Sequence, residues 1–150
     1  MKSPHQQYLD AAIVEARLGL EAGGIPIGSV LVVGGKIVGR GHNQRVQRDS
    51  VVLHAEMHCL EQAGRLPTVD YRRAVLYSTL SPCDMCSGAI LLYGIPHVVI
   101  GENRSFQGPE DYLRSRGILV EVLDDKPCRQ LMQGFVSRHP LLWNEDIGEI

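Results

Sequence analysis

A chain of 150 residues, 44% hydrophobic and 21% charged, is long enough for one domain with its own core and lies outside the disordered, collagenous and coiled-coil classes. Fifteen basic against seventeen acidic residues give a net charge of −2; the arginines are scattered, so the basic stripe of a nucleic-acid binder is absent and a small-molecule partner is expected. The apolar run Ala89 to Ile95 stops at Pro96, short of the ~20 residues of a membrane span, and residues 1–7 hold no apolar signal core. A soluble cytosolic protein with no membrane partner is therefore expected.

Ser3-Pro4 is a good helix start, and Tyr8, Ala12, Ala16 and Leu20, with Leu9 and Ile13 beside them, mark one apolar face up to Gly23-Gly24. Ile27 to Val33 and Lys36 to Arg40 read as a hairpin turning at Gly34-Gly35. His54 to Ala63 reads as a helix closed by Gly64, Ala74 to Thr79 as a strand, and Asp84 to Tyr93 as a buried helix closed by Gly94. Val98 to Ile100 and Ile118 to Leu123 are further strands, with a helix over Pro109 to Arg116 between them. Cys128 to Arg138 suits a helix, followed by a tail broken at Pro140. The order predicts an α/β fold over residues 1–150, a three-layer α/β/α domain around a five-stranded mixed sheet.

The chemistry concentrates in His54-Ala55-Glu56 and Pro82-Cys83-Asp84-Met85-Cys86. Zn²⁺ takes imidazole and thiolate ligands in a tetrahedron, and a catalytic site keeps its fourth position open. His54, Cys83 and Cys86 supply three such ligands, two thiolates balancing the charge of the ion. Both ligand groups fall at predicted helix N-termini behind strands, where the dipole and free N–H groups favour thiolates. Glu56, two residues past His54, is placed to take a proton from an activated water and return it to a substrate nitrogen. A rival arrangement uses His58, one turn after His54, to close a Cys₂His₂ structural site; it leaves Glu56 without a role. Cys59 and Cys128 have no partner at useful spacing and read as ordinary thiols.

His-x-Glu followed by Pro-Cys-x-x-Cys is the signature of zinc deaminases, and the chain resembles the cytidine deaminase superfamily, within it the fungal-type cytosine deaminases. The resemblance is carried by Gly23 to Gly28, Gly39 to Asn43, Leu53 to Glu56, Ser78 to Cys86, Tyr93 to Pro96, Gly101 to Asn103, Tyr112 to Gly117 and the acidic tail Trp143 to Glu149. The chain departs from the fungal pattern at Ala55, where Gly is usual, at Met57-His58, and around Phe106. The resemblance implies a cytidine-deaminase-like fold, a Zn²⁺ cofactor, a homodimer, and hydrolysis of free cytosine to uracil and ammonia with Glu56 as base and then acid. By the same resemblance Asn43 holds the pyrimidine edge and the backbone N–H of Ala55 meets the base carbonyl. Asp146 accepts from the exocyclic amine, Phe106 and Trp143 cover the ring, and Ile27 lines the floor. Plainer roles stand beside these: a turn for Asn43, a core anchor for Trp143, loop packing for Phe106 and a solvated tail charge for Asp146. Another free base, such as guanine or a triazine, is the nearest alternative substrate, and tRNA adenosine a more distant one.

Overall fold

The first helix starts as its sequence suggests. In the computed structural model, which describes residues 3–150, Ser3 accepts a hydrogen bond from the Gln6 amide and Pro4 occupies the first turn of α1 (Pro4–Glu21). Met1 and Lys2, part of the segment read above as lacking a signal core, lie outside the described residues. The two glycines at 34 and 35, both at positive φ, turn the hairpin between β1 (Gly28–Val33) and β2 (Lys36–His42). The chain continues through α2 (Ala55–Ala63), α3 (Thr68–Tyr71), β3 (Val75–Leu80), α4 (Asp84–Tyr93), β4 (His97–Glu102), α5 (Glu110–Ser115), β5 (Leu119–Val122), α6 (Lys126–Arg138) and α7 (Pro140–Asp146).

The five strands form one mixed sheet in the order β2-β1-β3-β4-β5. β1 runs antiparallel to both β2 and β3, while β3, β4 and β5 are parallel. Alternation along the strands sends Leu31, Leu76, Val98 and Val120 to one face, where they bury against α2, α4 and α5 through Cys59, Ile90 and Leu113. Val30, Val32, Tyr77 and Val99 face the other way onto Ala12 and Tyr8 of α1, and Leu9 and Ile13 tie α1 to Cys128 of α6. The result is the expected α/β/α layering. No helix among the described residues is long and apolar enough to cross a membrane.

Two elements differ from the sequence reading. The one-turn α3 was not foreseen, and Pro140 does not break the tail. The backbone kinks at His139 (φ −135°, ψ 59°), and Pro140 then takes the first position of α7, where its missing N–H costs nothing.

Glycine in β2 fixes where α2 can lie. A Cβ at Gly39 would sit 2.7 Å from the Ala63 Cβ, and one at Gly41 would sit 2.6 Å from the Cys59 amide nitrogen. The helix therefore rests directly on the strand backbone. On the other face, Glu15 of α1, buried at 7% exposure, clamps β2: its carboxylate accepts from Arg40 Nε at 2.9 Å and pairs with His42 Nδ1 at 3.0 Å.

Burial works against ionising Glu15, but the hydrogen bonds from His42 and Arg40 outweigh it and hold the carboxyl below its usual value of 4.5. A depressed folded-state value means that this stabilisation is present above the ordinary carboxylate range and is lost as pH falls through the lower folded value. Glu15→Ala should cost about 1–3 kcal/mol near neutral pH. The gap from the parent protein should close in acid, as urea unfolding at a series of pH values will show.

Candidate active site

The side chains singled out above converge beyond the C-terminal end of β3, the central strand of the sheet. Three residues beyond β3, Cys83 is the N-cap of α4 (φ −71°, ψ −179°), and His54 is the N-cap of α2 (φ −61°, ψ 163°). Neither uses its side chain to cap its own helix, which leaves imidazole and sulfur free to face each other. Cys83 does follow a strand closely, as the sequence reading supposes. His54 does not: it ends a loop over residues 43–53, whose last turn is held by Ser50 Oγ accepting from the amides of Val52 and Leu53.

His54 Nδ1 lies 3.4 Å from Cys83 Sγ and 3.9 Å from Cys86 Sγ. Metal–ligand bonds of the usual length place N and S atoms of a zinc tetrahedron about 3.6 Å apart. The spacing and the imidazole–thiolate chemistry therefore both fit Zn²⁺. The protein groups alone share protons strongly. The hydrogen bond from Cys86, aided by His54 and opposed by burial, brings the Cys83 thiol down to about 4. The same bond and burial push Cys86 well up. Burial pulls the His54 imidazole down, but its hydrogen bond to Cys83 and the carboxylates of Asp146 and Glu56 lift it to about 9. Glu56, 4% exposed, is raised to about 7 by burial and by the Cys83 charge.

Ile27, His54, Glu56, Leu80, Ser81, Cys83, Phe106, Trp143, Asp146 and Ile147 line one narrow cavity of about 20 Å³. It lies beside a wider basin of about 650 Å³ bordered by Arg45, His54, Phe106 and Asp146. As it stands, the inner space is about large enough for one water molecule. Phe106 meets Trp143 edge-on, centroids 6.3 Å apart at 86°. Ala55 is fully buried in the same apolar cluster as Ile27 and Trp143.

Asp146 is no solvated tail charge. It is 7% exposed, and its Oδ1 accepts from Asn43 Nδ2 at 3.0 Å and from Arg45 at 3.4 Å, with His54 Nε2 at 3.7 Å. Asn43 is wholly buried, and its Oδ1 accepts from the Arg45 amide at 3.0 Å. Its side chain keeps one N–H and one lone pair uncommitted.

His58 turns away from this cluster. Its Nδ1 accepts from the His42 amide at 3.1 Å, and its Nε2 lies 3.4 Å from Gln62. The closed Cys₂His₂ arrangement is therefore excluded, because His58 sits on the α2 face packed against β2. Cys59, buried, is raised to about 12 by desolvation, and Cys128 is raised too, first by burial. Both stand apart from the cluster, as inert thiols do.

The sequence reading missed the supports. Arg45 escaped notice because a single arginine in a loop looks like any surface cation. Glu110, 2% exposed, accepts from Ser81 Oγ at 2.6 Å and Asn103 Nδ2 at 3.2 Å, while Ser81 Oγ accepts from the Gly108 amide. Glu102 accepts from the amides of Arg104 and Ser105 at 2.7 and 2.9 Å. These two acids shape the loop that carries Phe106. Nothing in their spacing distinguishes them from solvated charges.

In zinc titrations of chelator-stripped protein, His54→Ala should lose the tight equivalent while His58→Ala keeps it. Binding should release protons near neutral pH, since the metal displaces those on His54 and Cys86, and apparent affinity should fall on acidification. A pH electrode in weak buffer, alongside metal analysis, checks all three.

The cytidine and deoxycytidylate deaminase zinc-binding region, as a family model, matches residues 2–102. A cytosine deaminase of Candida albicans is 49% identical over 142 residues, covering 94% of this chain and 95% of that one. A tRNA-specific adenosine deaminase of Streptococcus pyogenes serotype M18 is 37% identical over 131 residues, covering 84% and 76%. Among solved structures, a chain from a study of A-to-I editing by tRNA:A34 deaminases at the wobble position superposes with a TM-score of 0.70 at 28% identity, covering 84% of this chain and 99% of that one. A guanine deaminase from Bacillus subtilis superposes with a TM-score of 0.59 at 27% identity, covering 79% and 72%. With its His54–Cys83–Cys86 donor set, buried Glu56 and a family match over more than half its length, the chain belongs to the cytidine and deoxycytidylate deaminase family.

Proposed function

We propose that this protein is a zinc-dependent deaminase of free cytosine, converting cytosine and water to uracil and ammonia, with one domain over residues 1–150 carrying the whole activity. The observation that carries the reading is the buried Glu56 beside the His54–Cys83–Cys86 set, in a cavity roofed by Phe106 and Trp143 and walled by Asp146. The near full-length likeness to a cytosine deaminase supports the choice of base.

Zn²⁺ held by His54, Cys83 and Cys86 would supply the positive charge that makes a water acidic enough to lose its proton near neutral pH. Glu56, buried in the first turn of α2 two residues past His54, would accept that proton and give it up again. As the water oxygen bonds to the amino-bearing ring carbon, Glu56 passes its proton to the adjacent ring nitrogen. It then carries the remaining hydroxyl proton to the amino group, the carbon–nitrogen bond breaks, and ammonia leaves with uracil behind. Asp146 accepts from the amine and so orients it toward Glu56. The free N–H of Asn43 and the backbone N–H of Ala55 meet the acceptors on the far edge of the base. Ile27 forms the floor, and Phe106 and Trp143 exclude bulk water from the reacting carbon.

The cover formed by Phe106, Trp143 and Asp146, which leaves little room for a ribose, and the acidic stretch Glu145 to Glu149 disfavour a nucleoside or polynucleotide. A second copy of the chain is the remaining partner we propose. Leu92 (75% exposed), Tyr93 and Val52 border an apolar groove of about 700 Å³ between α2 and α4, and burying that face would make a homodimer that sedimentation velocity can detect.

An ultraviolet assay of cytosine, cytidine, guanine and an adenosine-containing tRNA anticodon stem should show turnover of cytosine far above the rest. Comparable rates on cytidine or guanine, or salt-sensitive activity on the RNA, would overturn the substrate assignment. Glu56→Gln should keep zinc and the folded circular-dichroism spectrum while losing at least about 10²–10⁴-fold in kcat. A variant retaining a tenth of the parent rate would remove Glu56 from the proton transfers.

A further inference from the structure

A second group of metal-binding side chains lies on the opposite face of the sheet, under α1. His5 projects from the first turn of α1, His97 opens β4, and Glu121 lies in β5 beside Val99 of β4. Glu121 Oε2 is 3.2 Å from His5 Nε2 and 2.6 Å from His97 Nε2, and one ligating atom from each of the three residues lies within 4.8 Å of the others. The two imidazoles stand edge-on at 89°, centroids 5.3 Å apart. They do not stack, and both present Nε2 to the same carboxylate. None of these residues touches the cavity that holds Glu56, and the reaction assigns them no part.

We propose that His5, His97 and Glu121 form a second divalent-metal site of His₂Glu composition that takes Zn²⁺, with water completing the shell. Three features carry this. Two imidazoles and one carboxylate are a donor set that favours zinc over the oxygen-seeking Mg²⁺ and Ca²⁺. The His5–Glu121 distance already matches the separation of about 3.3 Å between neighbouring ligands on a zinc tetrahedron, and the shorter His97 contact needs only a small rotation of the Glu121 side chain. His5 also has its outer partner in place: its Nδ1 lies 2.8 Å from the Tyr77 hydroxyl. A phenol both donates and accepts. With Nε2 offering its lone pair to the ion, the His5 proton sits on Nδ1, and Nδ1–H can donate to Tyr77, the outer hydrogen bond that fixes the tautomer of a metal-bound histidine. The side chains of His5 and Glu121 are 32% and 40% exposed and that of His97 is 19% exposed, so an ion reaches them directly from solvent.

The plain competitor is a hydrogen-bonded clamp that pins α1 to β4 and β5 and binds nothing. Calorimetric titration of ZnCl₂ into protein whose His54–Cys83–Cys86 site is already loaded separates the two. The expected result is one further equivalent per chain, weakened at least tenfold in His97→Gln and in Glu121→Gln, with turnover at limiting zinc unchanged in both. His5→Gln, on a different element, gives the same reading should a strand variant fail to fold. Co²⁺ added to zinc-loaded protein should give visible d–d bands without the thiolate charge-transfer absorption expected of a cysteine site. The absence of a further equivalent, its persistence at parental affinity in the variants, or a thiolate band in the cobalt spectrum would each overturn the site.

Discussion

The approach of two helix starts, which brings His54 Nδ1 to 3.4 Å from Cys83 Sγ, is the constraint on which the rest of the cavity depends. An N-cap residue normally spends its side chain on the free amides of its own first turn. Here neither cap does so, and donor atoms from two helices meet across a gap the size of one ion. The positive ends of both dipoles point at that gap and favour thiolate there. Cys86 and Glu56 follow in the first turns of their helices, buried because the helices that carry them are buried. The position of α2 traces back to β2, where Gly39 and Gly41 admit the helix backbone at contact distance. A side chain at either glycine would lift α2 and carry His54 with it.

The second half of the cavity is assembled from chain distant in sequence and held by buried acids. Glu110 and Glu102 each bind two groups of the segment between β3 and α5, and so order the loop that presents Phe106. Asp146 does the same from the other side, holding Asn43, Arg45 and His54 around one oxygen atom. Buried carboxylates of this kind are costly to desolvate, and the donors gathered on Glu110, on Oε2 of Glu102 and on Oδ1 of Asp146 offset that cost. Their reward is rigidity of the surrounding loops.

Where the side-chain pattern was local, the sequence was readable. Period-2 and period-3.6 apolar repeats, together with Gly34-Gly35, Gly64 and Gly94 at the turns, announced the sheet and its larger helices to within a residue or two. The donor set was readable as well, because ligand type and close spacing express a chemical requirement within a few residues. Long-range partnerships were not. Arg45 meets Asp146 across 101 positions and Ser81 meets Glu110 across 29, and no periodicity marks such pairs. α7 was misread for a related reason: Pro140 carries the same signal whether it ends a helix or begins one, and the deciding kink at His139 is a backbone event.

The attachment of α7 has a dynamic consequence. This seven-residue helix is moored by a short row of side chains, with Leu142 and Trp143 in the apolar cluster and Glu145 and Asp146 paired to Arg45. Its detachment therefore requires far less free energy than unfolding the five-stranded sheet, and the native ensemble always contains molecules in which α7 has swung out while the sheet stays intact. Backbone amides of residues 140–146 will exchange with solvent through this local opening, whereas those of β1, β3 and β4 wait for global unfolding. Because Trp143 and Asp146 also line the inner cavity, the same opening unroofs that cavity while His54, Cys83 and Cys86, carried by other elements, keep their places.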